Sequence, residues 1–229
     1  VRRALLLDTE TTGFDPSQDQ VIEVAACLYD LEIGCPIESY ASLIFSASGN
    51  PIERINRIPT AAINGAPHGI AVWRRVAEMA AASDVVAAHN AQFDRSFVRA
   101  AGIASVADRH WVCTMDDFEW DGSGSLKLVE IALGYGLGVA SAHRALADVD
   151  TMARLFTRVK EMGADLPALF RRAARPKRRY VARVSFEMKH LAKEAHFRWD
   201  EPRREWWKML VPEDVTAMGF PFQIVQRDA

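Results

Sequence analysis

Cysteine is scarce: Cys27, Cys35 and Cys113 are the whole complement of a 229-residue chain, and no two stand at C-x-x-C spacing. So few scattered thiols exclude a disulfide framework and a thiolate zinc site, and they fit a reducing cytoplasm. No apolar run approaches the length of a membrane span, and no signal-peptide pattern precedes Arg2 and Arg3. Neither a membrane nor an oxidising compartment is therefore expected. Internal repeats and low-complexity tracts are also missing. With 49% hydrophobic and 25% charged residues the composition is that of a folded chain, long enough for one full domain and a small second one.

Net charge is small as well, at −2, but it is unevenly spread. Residues 1–170 carry 14 basic and 22 acidic side chains, whereas residues 171–229 carry 14 and 8. An acidic body with a basic tail is expected to hold an anionic partner near the tail, although a solubilising surface gives the same balance.

The body reads as an α/β sheet of mixed pairing. Leu5–Leu7, Gln20–Leu31 and Ser39–Ala47 are extended segments with short connections, an expected antiparallel meander. In the second segment Val21, Glu23, Ala25 and Cys27 are expected on one face. Beyond Pro51 the pattern predicts a helix over Gly69–Ala81, a buried strand over Asp84–Asn90, a helix ending at Gly102 and a short strand at His110–Thr114. Further helices are predicted over Ser125–Tyr135 and Arg144–Met162. Residues 166–179, with two prolines and a dense run of arginines, read as a basic linker. Residues 180–229 read as a small strand-helix-hairpin-helix-strand module, an α+β domain.

The first leucine run ends in Asp8-Thr9-Glu10. On an extended strand this spacing points both carboxylates to one face, yet a bare D-x-E is most often an acidic turn. Two further aspartates change that balance. Asp94 shares a helical stripe with Phe97, Val98 and Ala101, and Asp148 heads a stripe of Met152, Leu155 and Val159. Each is expected on the buried side of its helix, where an ionised carboxylate needs a cation or a metal. Arg95, Arg99 and Arg154 fall on other faces, so no inward cation is expected. An all-oxygen donor set favours Mg²⁺ or Mn²⁺ over zinc. Two such ions about 3.5–4 Å apart would clamp the attacking and leaving oxygens of a phosphodiester. His143, five residues before Asp148, would cap the helix or deprotonate an attacking water.

Asp8 and Glu10 in DTETTG, Asp94 in HNAQFD, and His143 and Asp148 in HRALAD resemble, in that order, the three motifs of the DnaQ-like DEDDh 3′→5′ exonucleases. That group includes the proofreading subunit of bacterial replicative polymerase and ribonuclease T. The resemblance spans about residues 3–165. It implies an RNase-H-like fold with a five-stranded sheet of order 3-2-1-4-5 over residues 1–165. It further implies two-metal release of nucleoside monophosphates from 3′ ends of single-stranded or frayed DNA, in proofreading or repair. Asp8, Glu10, Asp94 and Asp148 would be the metal ligands and His143 the general base. Thr11, Thr12, Gly13 and Phe14 would meet the terminal nucleotide, with Asn90 and Phe93 lining the same cleft and His89 either near it or structural. Many relatives carry His-Gly-Ile where this chain has Asn56-Arg57-Ile58, so that substrate contact is expected to differ.

Three other expectations follow. An exoribonuclease is the alternative within the class. A polymerase-associated adaptor is the alternative outside it, and a DNA polymerase subunit is the implied protein partner. In the tail, Ala192–Met209 resembles a small module found beside nucleic-acid enzymes. Trp199 and Trp206 or Trp207 are expected to pair across a hairpin, with at least two of the three tryptophans in the core. Lys189, Lys193, Arg198, Arg203 and Arg204 are the candidate phosphate contacts.

Overall fold

Leu5, Leu6 and Leu7 are wholly buried, which requires protein on both faces of their strand. The computed structural model describes residues 1–120, 125–139, 144–216 and 218–227. The chain divides into two units, Val1–Ala174 and Arg175–Ala229.

In the first unit β1 (Arg3–Thr11), β2 (Val21–Asp30) and β3 (Cys35–Leu43) form the expected antiparallel meander. Short helices α1 (Glu53–Asn56) and α2 (Thr60–Asn64) precede α3 (Gly69–Ala81). β4 (Val85–Ala88) then pairs parallel with β1. α4 (Ala91–Ala100) and α5 (Ala104–Ala107) lead to β5 (Trp111–Cys113), parallel with β4. α6 (Leu128–Gly134), α7 (Ala145–Glu161) and α8 (Leu166–Ala173) complete the unit. The sheet order is β3-β2-β1-β4-β5, as the RNase-H-like fold requires.

The two sheet faces bury different helices. Ala4 and Leu6 of β1 pack with Ala25, Cys27 and Tyr29 of β2 against α6, α7 and α8. Leu5 and Leu7 pack with Val24, Ala26 and Leu28 against α3, α4 and α5. Strand alternation therefore sends Asp8 and Glu10 to the α7 face and Thr9 to the α4 face. The register slips between Glu10 and Thr11. As a result Val21, expected beside Glu23 and Ala25, packs instead with Val24 and Ala26.

Residues 166–173 are not linker. The Asp165 side chain caps α8 by accepting from the Ala168 amide at 2.9 Å, and Pro167 lies in the first turn, where its missing N–H is harmless. Leu166, Phe170 and Ala173 face inward, and the Phe170 ring lies 4.9 Å from Phe156 and 5.1 Å from Phe118. The arginines that read as linker, Arg171 and Arg172, occupy the outer face of this amphipathic helix.

The second unit is a four-stranded antiparallel sheet of order β7-β8-β6-β9 with one helix. Its elements are β6 (Arg178–Arg183), α9 (Lys189–Glu194), β7 (Arg198–Asp200), β8 (Glu205–Leu210) and β9 (Gln223–Arg227). The helix expected over Pro212–Phe220 does not form: residues 212–216 are turns. Tyr180, Ala182, Ala192, Phe197 and Leu210 make the core. Of the tryptophans only Trp206 packs against it, from its edge. Trp199 is 43% exposed, and Trp206 and Trp207 are half-buried. Trp199 and Trp206 are the cross-strand pair, with ring centroids 5.4 Å apart.

Candidate active site

Carboxylates of Asp8, Glu10 and Asp148 converge. Each offers an oxygen, and the three oxygens lie within 4.8 Å of one another. Strand alternation supplies the first two and the first turn of α7 supplies the third. Asp94 arrives from the other side of the sheet. It is buried, and its Oδ1 accepts from the Thr9 amide at 2.9 Å and the Thr9 hydroxyl at 2.8 Å. Asp94 is thus anchored to the residue between Asp8 and Glu10 and is not part of the close group of three.

Packing acidic groups this densely makes them hard to ionise. Burial raises Asp8 well above the usual carboxylate range, and the charges of Asp94, Asp148, Glu10 and Glu23 add to it. Glu10 is pushed up to about 8, by burial first and then by Asp148, Glu23 and Asp94. Asp94 is pushed up to about 7 by burial, against the hydrogen bonds from Thr9. Such an arrangement favours whatever supplies positive charge, whether protons or a metal.

Among the described residues a cation does reach a buried carboxylate of this face, contrary to the sequence expectation. Arg144, just ahead of α7, donates from Nε to Glu23 Oε2 at 3.1 Å and from Nη2 to Oε1 at 2.7 Å. Arg95, Arg99 and Arg154 do point away, to the Ala107 carbonyl, Asp108 and the Gly138 carbonyl. Arg144, expected as the first residue of the helix, is instead the extended residue before it, at φ −141° and ψ 124°, so its side chain leaves the helical wheel. Glu23 is buried on the α7 face, directly across from Glu10. His143 lies outside the described residues.

The segment after β1 is held by groups that no periodicity marks. Asp19 accepts from the Thr12 hydroxyl and the Asp15 amide, both at 3.0 Å, and a Cβ built on Gly13 would collide with the Asp19 carboxylate. Glycine is therefore required there. The Thr11 hydroxyl donates to the Gly13 carbonyl, and Phe14, 70% exposed, projects beyond the loop. Asn56 is fully buried and donates to the Thr11 carbonyl at 3.1 Å. Its Oδ1 accepts from Asn50 at 2.7 Å and from the Ile58 amide at 3.2 Å. Asn56 therefore ties down the start of the loop that leads to Phe14. Arg57 beside it adopts φ 57°, a conformation that favours glycine.

Asn90 caps α4 with φ 77°, and Phe93 packs on Phe97 with centroids 4.8 Å apart. Both ring nitrogens of His89 are engaged, Nε2 donating to the Leu126 carbonyl at 2.7 Å and Nδ1 facing the Thr114 hydroxyl at 3.0 Å.

In the second unit the candidate contacts are dispersed. Lys189 Nζ lies 3.8 Å from the Phe186 ring centroid, and Lys193 Nζ lies 5.9 Å from that of Trp206. Arg203 and Arg204 are exposed at the β7–β8 turn, and Arg198 is half-buried. The one buried cation, Arg179, escaped the sequence reading. It stacks 5.1 Å from the Trp207 centroid and is paired with Asp200 at 2.8 Å and with Glu205.

Comparison with known proteins adds the following. A family model described as Exonuclease (RNase_T) matches residues 5–156, and a domain of unknown function, DUF8626, matches residues 178–225. The DNA polymerase III subunit epsilon of Treponema pallidum (strain Nichols) is 29% identical over 159 residues, covering 66% of this chain and 73% of that protein. Ribonuclease T of Yersinia pseudotuberculosis serotype O:1b (strain IP 31758) is 30% identical over 194 residues, covering 72% and 89%. Among solved structures, a zinc-ion-bound complex of E. coli exonuclease I with single-stranded DNA aligns with a TM-score of 0.62 at 18% identity. That alignment covers 85% of this chain and half of that one.

Proposed function

The chain belongs to the DnaQ-like DEDDh exonuclease family, the 3′→5′ phosphodiesterases, and from that premise we propose that it removes nucleoside monophosphates from the 3′ ends of single-stranded or frayed DNA. The observation that carries the site assignment is the convergence of Asp8, Glu10 and Asp148, whose carboxylate oxygens lie within 4.8 Å of one another. Their donor atoms are all carboxylate oxygens, fitted to hard divalent ions, and Asp8 and Glu10 are raised in proton affinity. Asp8, Glu10 and Asp148 would hold Mg²⁺ or Mn²⁺, two ions in all, with Asp94 offering its Oδ2 because both Thr9 bonds fall on Oδ1. When bound, such ions supply charge stabilisation to a phosphodiester and lower the pKa of water.

The remaining work falls to this chain's residues. Phe14 stacks on the terminal base, while Thr11, Thr12 and Gly13 present a loop held rigid by Asp19 and Asn56. Asn90 and Phe93 line the cleft beside it. His143 accepts the proton of the attacking water at a ring nitrogen, on the strength of its place in HRALAD. Exposed Lys193, Arg203 and Arg204, with Lys189 and Arg198, give the second unit phosphate contacts that tether the strand. Proofreading or repair beside a DNA polymerase is the role that the epsilon relative favours.

The match to ribonuclease T over 89% of that protein favours a second reading, trimming of RNA 3′ ends. Matched DNA and RNA oligonucleotides incubated with Mn²⁺ separate the two. Faster loss of DNA from its 3′ end supports the first reading, and faster loss of RNA replaces it with the second. No loss of either, together with tight binding to a polymerase, would indicate an adaptor.

A further inference from the structure

Glu23 stands opposite Glu10 in the β1–β2 register, a cross-strand pair of like charges that is destabilising by itself. Both of its oxygens are occupied. Oε1 accepts from Arg144 Nη2 at 2.7 Å, and Oε2 accepts from Arg144 Nε at 3.1 Å and from the Ala145 amide at 3.0 Å. One carboxylate thereby binds Arg144 and caps the helix whose first turn carries Asp148. The Arg144 side chain is 42% exposed against 6% for Glu23, and the pair lines a groove of about 720 Å³ between β2, β3 and α7. Arg144 therefore has room to move, and Glu23 does not.

We propose that Glu23 is a positioning residue which, by forking Arg144 and capping α7 at Ala145, keeps the guanidinium out of the Asp8–Glu10–Asp148 group and leaves that group open to divalent metal. Without Glu23, Arg144 turns to the next carboxylate across the strand pair, Glu10, and competes with the metal for it. The inference rests on the metal-site reading above.

The test is Mn²⁺ affinity of the full chain, measured by calorimetry, with melting in a chelator as the check on folding. Glu23→Ala should weaken Mn²⁺ binding by about tenfold or more. The double variant Glu23→Ala/Arg144→Ala should recover most of that loss, because the competing cation is gone. Glu23→Gln, which keeps the shape and the Ala145 cap but loosens the fork, should fall between the wild type and Glu23→Ala, and it serves if the alanine variant does not fold. A double variant as weak as Glu23→Ala would overturn the inference, since a purely structural role predicts no rescue. So would wild-type affinity in Glu23→Ala. Mn²⁺ binding no tighter in the wild type than in Asp8→Ala would overturn the metal reading itself, and the positioning role with it.

Discussion

Each unit of this protein buries charge, and they do it in opposite ways. In the second unit Arg179 is buried against Asp200, Glu205 and the Trp207 ring, a cation whose partners balance it. In the first, Asp8, Glu10 and Asp148 converge, Asp94 is bonded to Thr9 between the first two, and Arg144 is forked to Glu23. Balanced burial holds a small domain together. Unbalanced burial costs stability, and a fold retains it where the missing charge arrives with a ligand.

Removing one member of each set should separate the two kinds of burial most clearly. Asp8→Ala should bring 3′-end degradation to background while leaving the metal-free protein at least as stable as the wild type, because it relieves a half-buried, hard-to-ionise carboxylate. Melting in a chelator together with oligonucleotide digestion checks both halves, and a large loss of stability would put Asp8 with Arg179 as a structural group. Arg179→Ala should do the reverse. It strands Asp200 and Glu205 and should cost the second unit about 3–5 kcal/mol, read by denaturant unfolding, while cleavage of a short oligonucleotide persists.

A pH series sharpens the contrast without mutation. The folded-state pKa values of Asp8, Glu10 and Asp94 lie above their unfolded values, with Glu10 at about 8 and Asp94 at about 7. The folded state therefore binds more protons than the unfolded state across this range. The stability these groups contribute is complete below the ordinary carboxylate range, near pH 4, and is lost as pH rises towards 8. Melting temperature in a chelator should fall over that window, and excess Mn²⁺ should lift it most at the alkaline end. A metal-free profile that is flat or rises would mean the cluster is neutralised from within. The smallest effect is expected at a buried group that carries no charge. Asn56→Ala removes the bond to the Thr11 carbonyl and should cost about 1–3 kcal/mol of stability, with a raised KM and little change in kcat in steady-state digestion.

Much of this was legible in the residues. The leucines of β1 and the alternation after them placed Asp8 and Glu10 on one face, and helical stripes oriented Asp94 and Asp148. What stayed hidden had physical causes. The Arg144–Glu23 fork joins a residue outside its helix to a strand residue 121 positions away, a pairing no local period encodes. Asp19 acts from a loop, through a turn only tertiary structure defines. α8 was masked by its arginines, although Leu166, Phe170 and Ala173 recur at helical spacing beneath them. The turns at 212–216 replaced an expected helix between Pro212 and Gly219, where Val215 and Phe220 pack on the module core without one.

The central claim is that the converging carboxylates of the first unit are a divalent-metal site, and calorimetric titration of Mn²⁺ into the full chain near pH 7, repeated in buffers of different ionisation enthalpy, tests it most directly. Binding that releases protons, and that is lost in Asp8→Ala, is the predicted result. Absence of binding, or binding that Asp8→Ala leaves unchanged, would contradict it.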